Sequence, residues 1–322
     1  MTAAPGREAE DPFDHPALHY SGDREYLDGT LPFIEQALAA EGPVAVAVPG
    51  PNLKLLRDAL GERAGRVLML DMTEAGANPG RIIPGVLRAF ADAHPDRRVR
   101  IVGEPVWPAR TEDEYPACAQ HEALINHAFA GRDVAILCPY DLDGLDARAI
   151  DDSLATHPVL IDRAGRRASD GYDPDRIVAE YNRPLEAPPR TAIEREFDRF
   201  TIDNARWFAT SYGRKTGLTA TQLVDLEIAV TELLTNSVCH GGGAGTLRIW
   251  AEEDRLLCDV SDAGRIADPL AGRRPADPDR IDGRGLLLVN HVVDLLRTHT
   301  GARGTTMRIH MRLPRRRPPA GE

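Results

Sequence analysis

Three polar residues recur at every fourth position in the run TELLTNSVCHGG: Glu232, Asn236 and His240. On a helix that spacing stacks them on one face. Leu233, Leu234 and Val238 fall on the opposite face and read as core. A polar stripe on a packed helix faces either water or something polar, and the sequence downstream supplies the rest of a binding site. Asp262 and Gly264 end the apolar run LLCDVSDAG, Gly283 and Gly285 open the helical run DGRGLLLV, and GARGTTM leads into a last strand. A carboxylate at a strand end accepts a hydrogen bond from an exocyclic amine such as that of adenine. A glycine beside it lets a base lie against backbone. Backbone N–H groups at a glycine-opened helix start suit phosphates, because the helix dipole favours anions there. Asn236 offers a neutral oxygen of the kind Mg²⁺ takes alongside phosphate oxygens. Glu232, one turn earlier, is placed to take a proton from a hydroxyl or water.

Singly, each motif is short enough to arise by chance in a chain with 28 glycines. The order carries the information: E-x-x-x-N on a helix, D-x-G after a strand, G-x-G before a helix, G-T-T before a strand. That order, over about residues 193–314, resembles the GHKL (Bergerat) ATPases, and ELLTNSVCHG with GRGLLLV is similar to their anti-sigma-factor serine kinase branch. The resemblance implies an ATP site in which Asn236 binds Mg²⁺, Glu232 is the catalytic base and Asp262 reads adenine. It assigns nucleotide contacts to Asn236, Asp262, Gly264, Gly283, Gly285, Leu286, Gly304 and Thr305. The segment RIADPLAGRRPADPDRID between the D-x-G and G-x-G boxes is short, which suits a small lid. Arg273, Arg274, Arg280 and Arg284 are candidates to meet γ-phosphate charge. Arg284 is the choice because it sits between the two glycines; a plain surface arginine is the alternative. His240 reads as a partner of the helix C-terminal dipole rather than a catalyst.

These residues need elements to hold them. Thr219 is the expected N-cap of one long helix over TATQLVDLEIAVTELLTNSVCHG. A strand and a long helix precede it, from Ile193. TLRIWAEEDRLLCDVSDAG reads as a hairpin, RGLLLVNHVVDLLRTHTG as a helix, and GTTMRIHMRLP as a strand. Helices beside an antiparallel sheet make an α+β layer.

The first half reads differently. Short apolar runs, VAVAV, RVLMLDM, RVRIVGEP and VAILCPYD, alternate with helical runs, the pattern of a doubly wound parallel sheet. GRIIPGVLRAFADAHP is expected to be a helix interrupted near Pro84, and PVLIDRAGRRAS to add an edge strand. PGPN occupies the place of a P-loop but lacks G-K-[ST], and Pro49 and Pro51 remove two N–H donors. LHYSGDREYL, NPGR, GEPVWP, HEALINHAF and CPYD together resemble the MEDS sensory domain, over about residues 15–165. The resemblance implies a RecA-like sheet without its ATP loop that serves in signal sensing. His19, Tyr20, Trp107, Cys118, His121, Glu122 and Cys138 are candidates to line a ligand pocket. Cys118 and His121 lie one turn apart and would suit a metal, although with no second close pair a packed structural role is the plainer reading.

The expected fold class is therefore α/β: an N-terminal doubly wound RecA-like parallel sheet without a P-loop, plus a C-terminal α+β Bergerat-fold sandwich. The expected divisions are a disordered tail at 1–14, the sensory domain at 15–165, a Pro- and charge-rich linker at 166–192, the ATP-binding domain at 193–314, and a disordered tail at 315–322. A net charge of −11 disfavours generic binding to nucleic acid or an anionic membrane. The longest apolar runs are too short to span a bilayer, and the acidic N-terminus has no apolar core of a signal peptide. Four scattered cysteines imply reduced thiols, so the expected location is the cytoplasm. The expected activity is transfer of the ATP γ-phosphate to a serine of an anti-anti-sigma (STAS-type) partner, with a sigma factor as the other partner. The alternatives are a non-catalytic ATP-binding module that sequesters a sigma factor, and a histidine kinase, because HEALIN resembles an H-box. Homodimerisation and a small-molecule ligand for the first half complete the expected partners.

Overall fold

The computed structural model describes residues 11–276 and 283–314. Of the tail expected at 1–14, residues 1–10 lie outside the described residues, as do the tail expected at 315–322 and Arg280. In chain order the elements are β1 (Pro16–Tyr20), α1 (Gly22–Ala39), β2 (Val44–Val48), α2 (Gly50–Leu60), β3 (Leu68–Asp71), α3 (Met72–Ala75), α4 (Ala89–Asp92), β4 (Val99–Gly103), α5 (Tyr115–Phe129), β5 (Val134–Asp141), α6 (Ala147–Thr156), β6 (Val159–Asp162), β7 (Gly165–Ala168), α7 (Pro174–Glu180), β8 (Ile193–Asp198), α8 (Ile202–Thr216), α9 (Ala220–His240), β9 (Ala244–Ala251), β10 (Arg255–Asp262), α10 (Gly285–Val292), β11 (Leu295–Gly301) and β12 (Gly304–Arg312).

They fall into two units. Among the described residues, the first holds residues 11–73, Leu87–Arg110 and Glu122–Pro174; the second holds Glu74–Val86, Thr111–His121, residues 175–276 and residues 283–314.

The first unit is built on one sheet, ordered β3-β2-β4-β5-β1-β6-β7. Its strands pair in parallel, except that β7 joins β6 antiparallel as the expected edge. The inner strands β2 and β5 are buried almost throughout, as a doubly covered parallel sheet requires, whereas β3 at the sheet edge is partly exposed. Val46, Val48, Val102 and Leu137 share a core with Ile34, Leu38, Leu53 and Leu56 of α1 and α2. β1 was absent from the sequence expectation; PALHY carries a proline and two polar-capable rings, and only its central position in the sheet makes it a strand. Before it, Asp14 bridges Ala135 and Phe13 stacks on Phe129. The helix expected to break near Pro84 is a 3₁₀ turn over Pro79–Arg81, a π-type stretch over Ile82–Arg88, and then α4. Proline has no N–H to give to a helical ladder, so the hydrogen-bond register changes around it.

The second unit carries an antiparallel sheet ordered β11-β12-β10-β9-β8. One face meets the helices: Leu247, Ile249, Leu256, Cys258, Val260, Met307 and Ile309 pack with Leu226, Val230, Leu233 and Leu234 of α9 and with Val289 of α10. On β10 the alternate residue Asp259 points the other way and takes a two-pronged ion pair from Arg308, 2.7 and 2.8 Å, both side chains buried. Thr219 caps α9 as expected, in a reciprocal box with Gln222. One expectation fails here. The run RGLLLVNHVVDLLRTHTG is not a single helix: α10 stops at Val292, and residues 295–301 form β11, paired with β12. β-branched Val292 and Val293 weaken the helix end, and the T-H-T alternation fits a strand.

Candidate functional site

The ends of α9 and β10, the start of α10, the start of β12 and the 264–276 segment surround a pocket of about 520 Å³ within the second unit. Asn236, Asp262, Gly264, Gly283, Gly285, Leu286 and Thr305 line it, together with His240, Gly241 and Gly272. Five stretches separated by up to 69 positions thus meet in one place.

Asp262 forms the floor where β10 ends. Its Oδ2 accepts a hydrogen bond from Ser237 Oγ at 2.6 Å, and its Oδ1 accepts one from the Gly264 N–H at 2.8 Å. Each carboxylate oxygen accepts more than one bond, so capacity remains for an amine donor. Thr305 Oγ1 donates to the Gly264 carbonyl at 2.9 Å and fixes the turn that follows. Gly304 sits beneath, at φ 118°, where a Cβ would lie 1.9 Å from the Asp262 carbonyl oxygen. No other residue fits that approach. Gly304 therefore supports the floor without lining the pocket.

Asn236 lies one turn before His240 on α9, half-buried and facing the pocket. Glu232 stands one turn further back. It does not line the pocket, but its Oε2 would be 2.5 Å from a Cβ on Gly285, so the carboxylate rests against the first turn of α10. Arg284 caps that turn from an exposed position and does not line the pocket. Of the four arginines considered, Arg274 lines it, ion-paired with Asp268, and Arg265 joins it. Arg273 does not line it, and burial pulls its guanidinium down to about 10. Ser237, Gly241 and Arg265 were missed from sequence. Ser237 and Gly241 adjoin motif residues, yet only the fold puts them on Asp262.

The residues fit a nucleotide on two observations: a carboxylate with spare acceptor capacity and a helix N-terminus opened by glycines. α10 itself is tied at its far end. Asn78 Nδ2 donates to the Asn290 carbonyl at 2.9 Å, Arg81 Nε donates to the same oxygen at 2.8 Å, and Arg81 Nη2 donates to the Val293 carbonyl at 2.7 Å. Asn290 Nδ2 in turn donates to the Gly272 carbonyl on the pocket wall, 3.1 Å. All these residues belong to the second unit.

Of the residues expected to line a ligand pocket in the first half, Glu122 and Cys138 come together, while His19, Tyr20 and Trp107 are held by partners of their own. His19 pairs with Ser153 Oγ at 2.8 Å, and Trp107 lies under Arg110. Tyr20 approaches Glu104, whose two oxygens accept from Asn52 Nδ2 at 3.0 and 2.9 Å. Burial pushes the Glu104 carboxyl up to about 8. At PGPN, the Asp71 carboxylate would lie 3.0 Å from a Cβ on Gly50, so the loop carries negative charge beside it. A phosphate there would meet Asp71 and no lysine. Cys118 and His121 are buried and are not among the converging metal-type donors. His121, the H-box candidate, is wholly buried on α5, out of reach of a phosphoryl donor.

Residues 14–158 match the family described as MEDS: MEthanogen/methylotroph, DcmR Sensory domain, and residues 198–311 match the family described as Histidine kinase-like ATPase domain. The chain carries a MEDS sensory domain followed by a histidine kinase-like ATPase domain. No curated protein matches it. Solved structures with likeness to part of it include the RsbU and RsbW domains of Rv1364c from Mycobacterium tuberculosis, with 19% identity, TM-score 0.31, and 40% of this chain against 34% of that one. This chain thus spans about a third of that one's length. Others are the catalytic domain of histidine kinase ThkA (TM1359), with 14% identity, TM-score 0.26, and 37% of this chain against 95% of that one, and the Acinetobacter baumannii histidine kinase AdeS, with 14% identity, TM-score 0.23, and 43% against 73%. Among the described residues, no helix is long and apolar enough to cross a membrane.

Proposed function

We propose that the ATPase domain binds ATP with Mg²⁺ and acts as an anti-sigma-factor serine kinase under control of the MEDS domain. The observation that supports this is the convergence of Asn236, Asp262, Gly264, Gly283 and Gly285 on one pocket. In this reading the Asp262 carboxylate accepts from the adenine amine, and the α10 N-terminus with Arg274 and Arg265 faces the phosphates. Asn236 presents its amide oxygen to Mg²⁺ without adding charge to an anionic site. Bound ATP supplies the phosphoryl group. Glu232 takes the proton from the hydroxyl of a partner serine, a role worth roughly a hundredfold or more in rate. Arg284, exposed at the start of α10, contacts the partner's substrate loop in this reading. The partners are a sigma factor and an anti-anti-sigma protein of the STAS type, in the cytoplasm.

A second reading is an ATP-binding module that sequesters a sigma factor without phosphoryl transfer. The position of Glu232 against Gly285, outside the pocket lining, favours it. One experiment separates the two. The full chain is incubated with γ-labelled ATP and candidate anti-anti-sigma proteins, wild type beside Glu232→Gln. Label on a partner serine that the variant abolishes, with ATP affinity kept, supports the kinase. ATP and sigma binding without any label supports the sequestering module. A folded chain that binds no ATP overturns both.

A further inference from the structure

Four potential metal ligands meet in the core of the first unit: His15, Glu122, Cys138 and His157. They come from four places in the sequence. His15 precedes β1, Glu122 lies on α5, Cys138 lies mid-β5 beside Ala17 of β1, and His157 ends α6. One donor atom from each lies within 4.8 Å of every other. His15 Nε2 is 3.4 Å from Glu122 Oε2 and 3.4 Å from Cys138 Sγ, and His157 Nε2 is 3.2 Å from the same Oε2. The ligand-to-ligand edge of a tetrahedral zinc site with bonds of about 2.1 Å is about 3.4 Å.

The surroundings fix which atoms face the centre. Asn126 Nδ2 donates to the carbonyls of Thr156 and Ala123 at 2.8 and 3.1 Å, so its Oδ1 is the atom turned to His15 Nδ1, 3.1 Å away. An amide oxygen only accepts, so His15 carries its proton on Nδ1. His157 Nδ1 lies 3.0 Å from the Ser153 carbonyl, which also only accepts, so it too is protonated there. Both rings therefore turn a bare Nε2 lone pair inward unless they are cationic. Two imidazolium ions with ring centroids 4.1 Å apart and no exposed surface would repel strongly. At least one lone pair thus points at a carboxylate. The Glu122 oxygens and His157 Nε2 are accordingly buried without a hydrogen bond of proper geometry. Polar atoms left so inside a protein call for an occupant.

We propose that His15, Glu122, Cys138 and His157 form a closed tetrahedral site for a divalent transition ion of the zinc type. Two neutral imidazoles, a thiolate and a carboxylate carry two negative charges, which a divalent ion cancels, leaving a neutral buried site. The Cys and His ligands exclude Mg²⁺ and Ca²⁺, which take oxygen. Four protein ligands and no exposure leave no open position for a substrate, so the ion serves structure. The Asn126 and Ser153 acceptors are the outer shell that orients metal-bound histidines. Cys138 gives up its proton to the bulk on binding, and the site ties the chain before β1 to α5, β5 and the end of α6.

The test uses the full chain with Cys239→Ser, which removes the exposed thiol. The protein is purified under reducing conditions without chelator and its metal measured by mass spectrometry; about one equivalent of zinc is expected. After stripping, titration with Co²⁺ should raise a thiolate-to-cobalt charge-transfer band. Cys138→Ala should lose that band, and Cys138→Ala with His157→Ala should lose metal at least tenfold. If the variants do not fold, the cobalt band of the Cys239→Ser protein still decides. A folded protein with no zinc as isolated and no cobalt band overturns the proposal.

Discussion

The ATPase-domain pocket and the buried MEDS-domain cluster treat their carboxylates in opposite ways. Asp262 is half-buried, opens onto a pocket, and accepts from Ser237 and the Gly264 N–H. Glu122 is wholly buried, with the His15 and His157 ring nitrogens 3.4 and 3.2 Å from its Oε2. A carboxylate that is partly satisfied and reachable suits a ligand that comes and goes. One that is closed off and unsatisfied suits a ligand bound once, during folding. Charge is tolerated in the first case because water or substrate completes it, and in the second only if an opposite charge is sealed in with it.

Glu104 tests this rule within the first unit, because it is buried like Glu122 but has neutral donors. Asn52 reaches both its oxygens, while Tyr20, Tyr26 and Asp141 face it from β1, α1 and β5. With no cation present, burial keeps it protonated up to about pH 8. The folded pKa lies above the unfolded one, so its contribution is fully present below the ordinary carboxylate range and is lost as pH rises toward about 8. Stability should fall by about 1.4 kcal/mol per pH unit across that window, and Glu104→Gln should remove the slope. Urea denaturation of both proteins between pH 5 and about 8 measures it. Parallel curves would put Glu104 on the same footing as Asp262 and break the distinction.

The next largest effect concerns the open site. Asp262→Asn replaces one acceptor oxygen with a donor and removes the charge that Ser237 and the Gly264 N–H accompany. ATP affinity should fall about ten- to a hundredfold, the worth of a charge-assisted hydrogen bond. Calorimetry on the folded variant reads this, and unchanged affinity would detach Asp262 from base recognition. Asn236→Ala should cost about tenfold, and only when Mg²⁺ is present; an equal loss in excess chelator would make Asn236 a packing residue.

The two regions also differed in how far the sequence disclosed them. The open site was legible because its residues sit in short motifs tied to element ends: a helix stripe, a strand stop, a glycine pair before a helix. Each has a local physical reason, so each could be read before any fold was known. The strands VAVAV and VAILCPYD were legible for the same reason. The cluster was legible only in part: Glu122 and Cys138 stood among the ligand candidates, and His15 and His157 did not. His15, Glu122, Cys138 and His157 share no local pattern, and β1, the strand that sets His15 beside Cys138, has no strand-like alternation. Cys118 and His121 suggest a metal pair because they are one turn apart, whereas the converging donors are far apart in sequence and joined by the fold. β11 was hidden likewise: DLLRTHTG continues a helical pattern, and its pairing with β12 makes it a strand. Arg284 was favoured for its place between glycines, but the side chains that line the pocket are Arg265 and Arg274.

The smallest effect sharpens what makes the open site adjustable. Asn78 is fully buried, and its amide nitrogen donates to the Asn290 carbonyl at the end of α10, while its Oδ1 accepts from the Gly80 N–H at 3.0 Å. Asn290 passes the tie on to Gly272, whose carbonyl belongs to the pocket wall. α10 is thus held at its C-terminus by Asn78 and Arg81, while its N-terminus faces the pocket. Asn78→Ala removes these bonds and the longer ones from Nδ2 to Asn290 Oδ1 and the Val293 carbonyl, without adding bulk or charge. Gly80→Ala acts on the same contact from the other side, because a Cβ would lie 2.0 Å from Asn290 Oδ1 and must push it away. Neither residue lines the pocket, so the Asp262 floor stays in place. What changes is how firmly the start of α10 is presented to a phosphate. Both variants should lower ATP affinity by about two- to fivefold, the range expected when a supporting contact shifts a two-position element. Both should also speed amide hydrogen exchange along 285–292, and Asp262→Asn should not. If exchange quickens but affinity holds, α10 is anchored for stability alone. If neither moves, the Asn78–Asn290 tie does not control the helix, and the pocket is as rigid as the closed cluster it was set against.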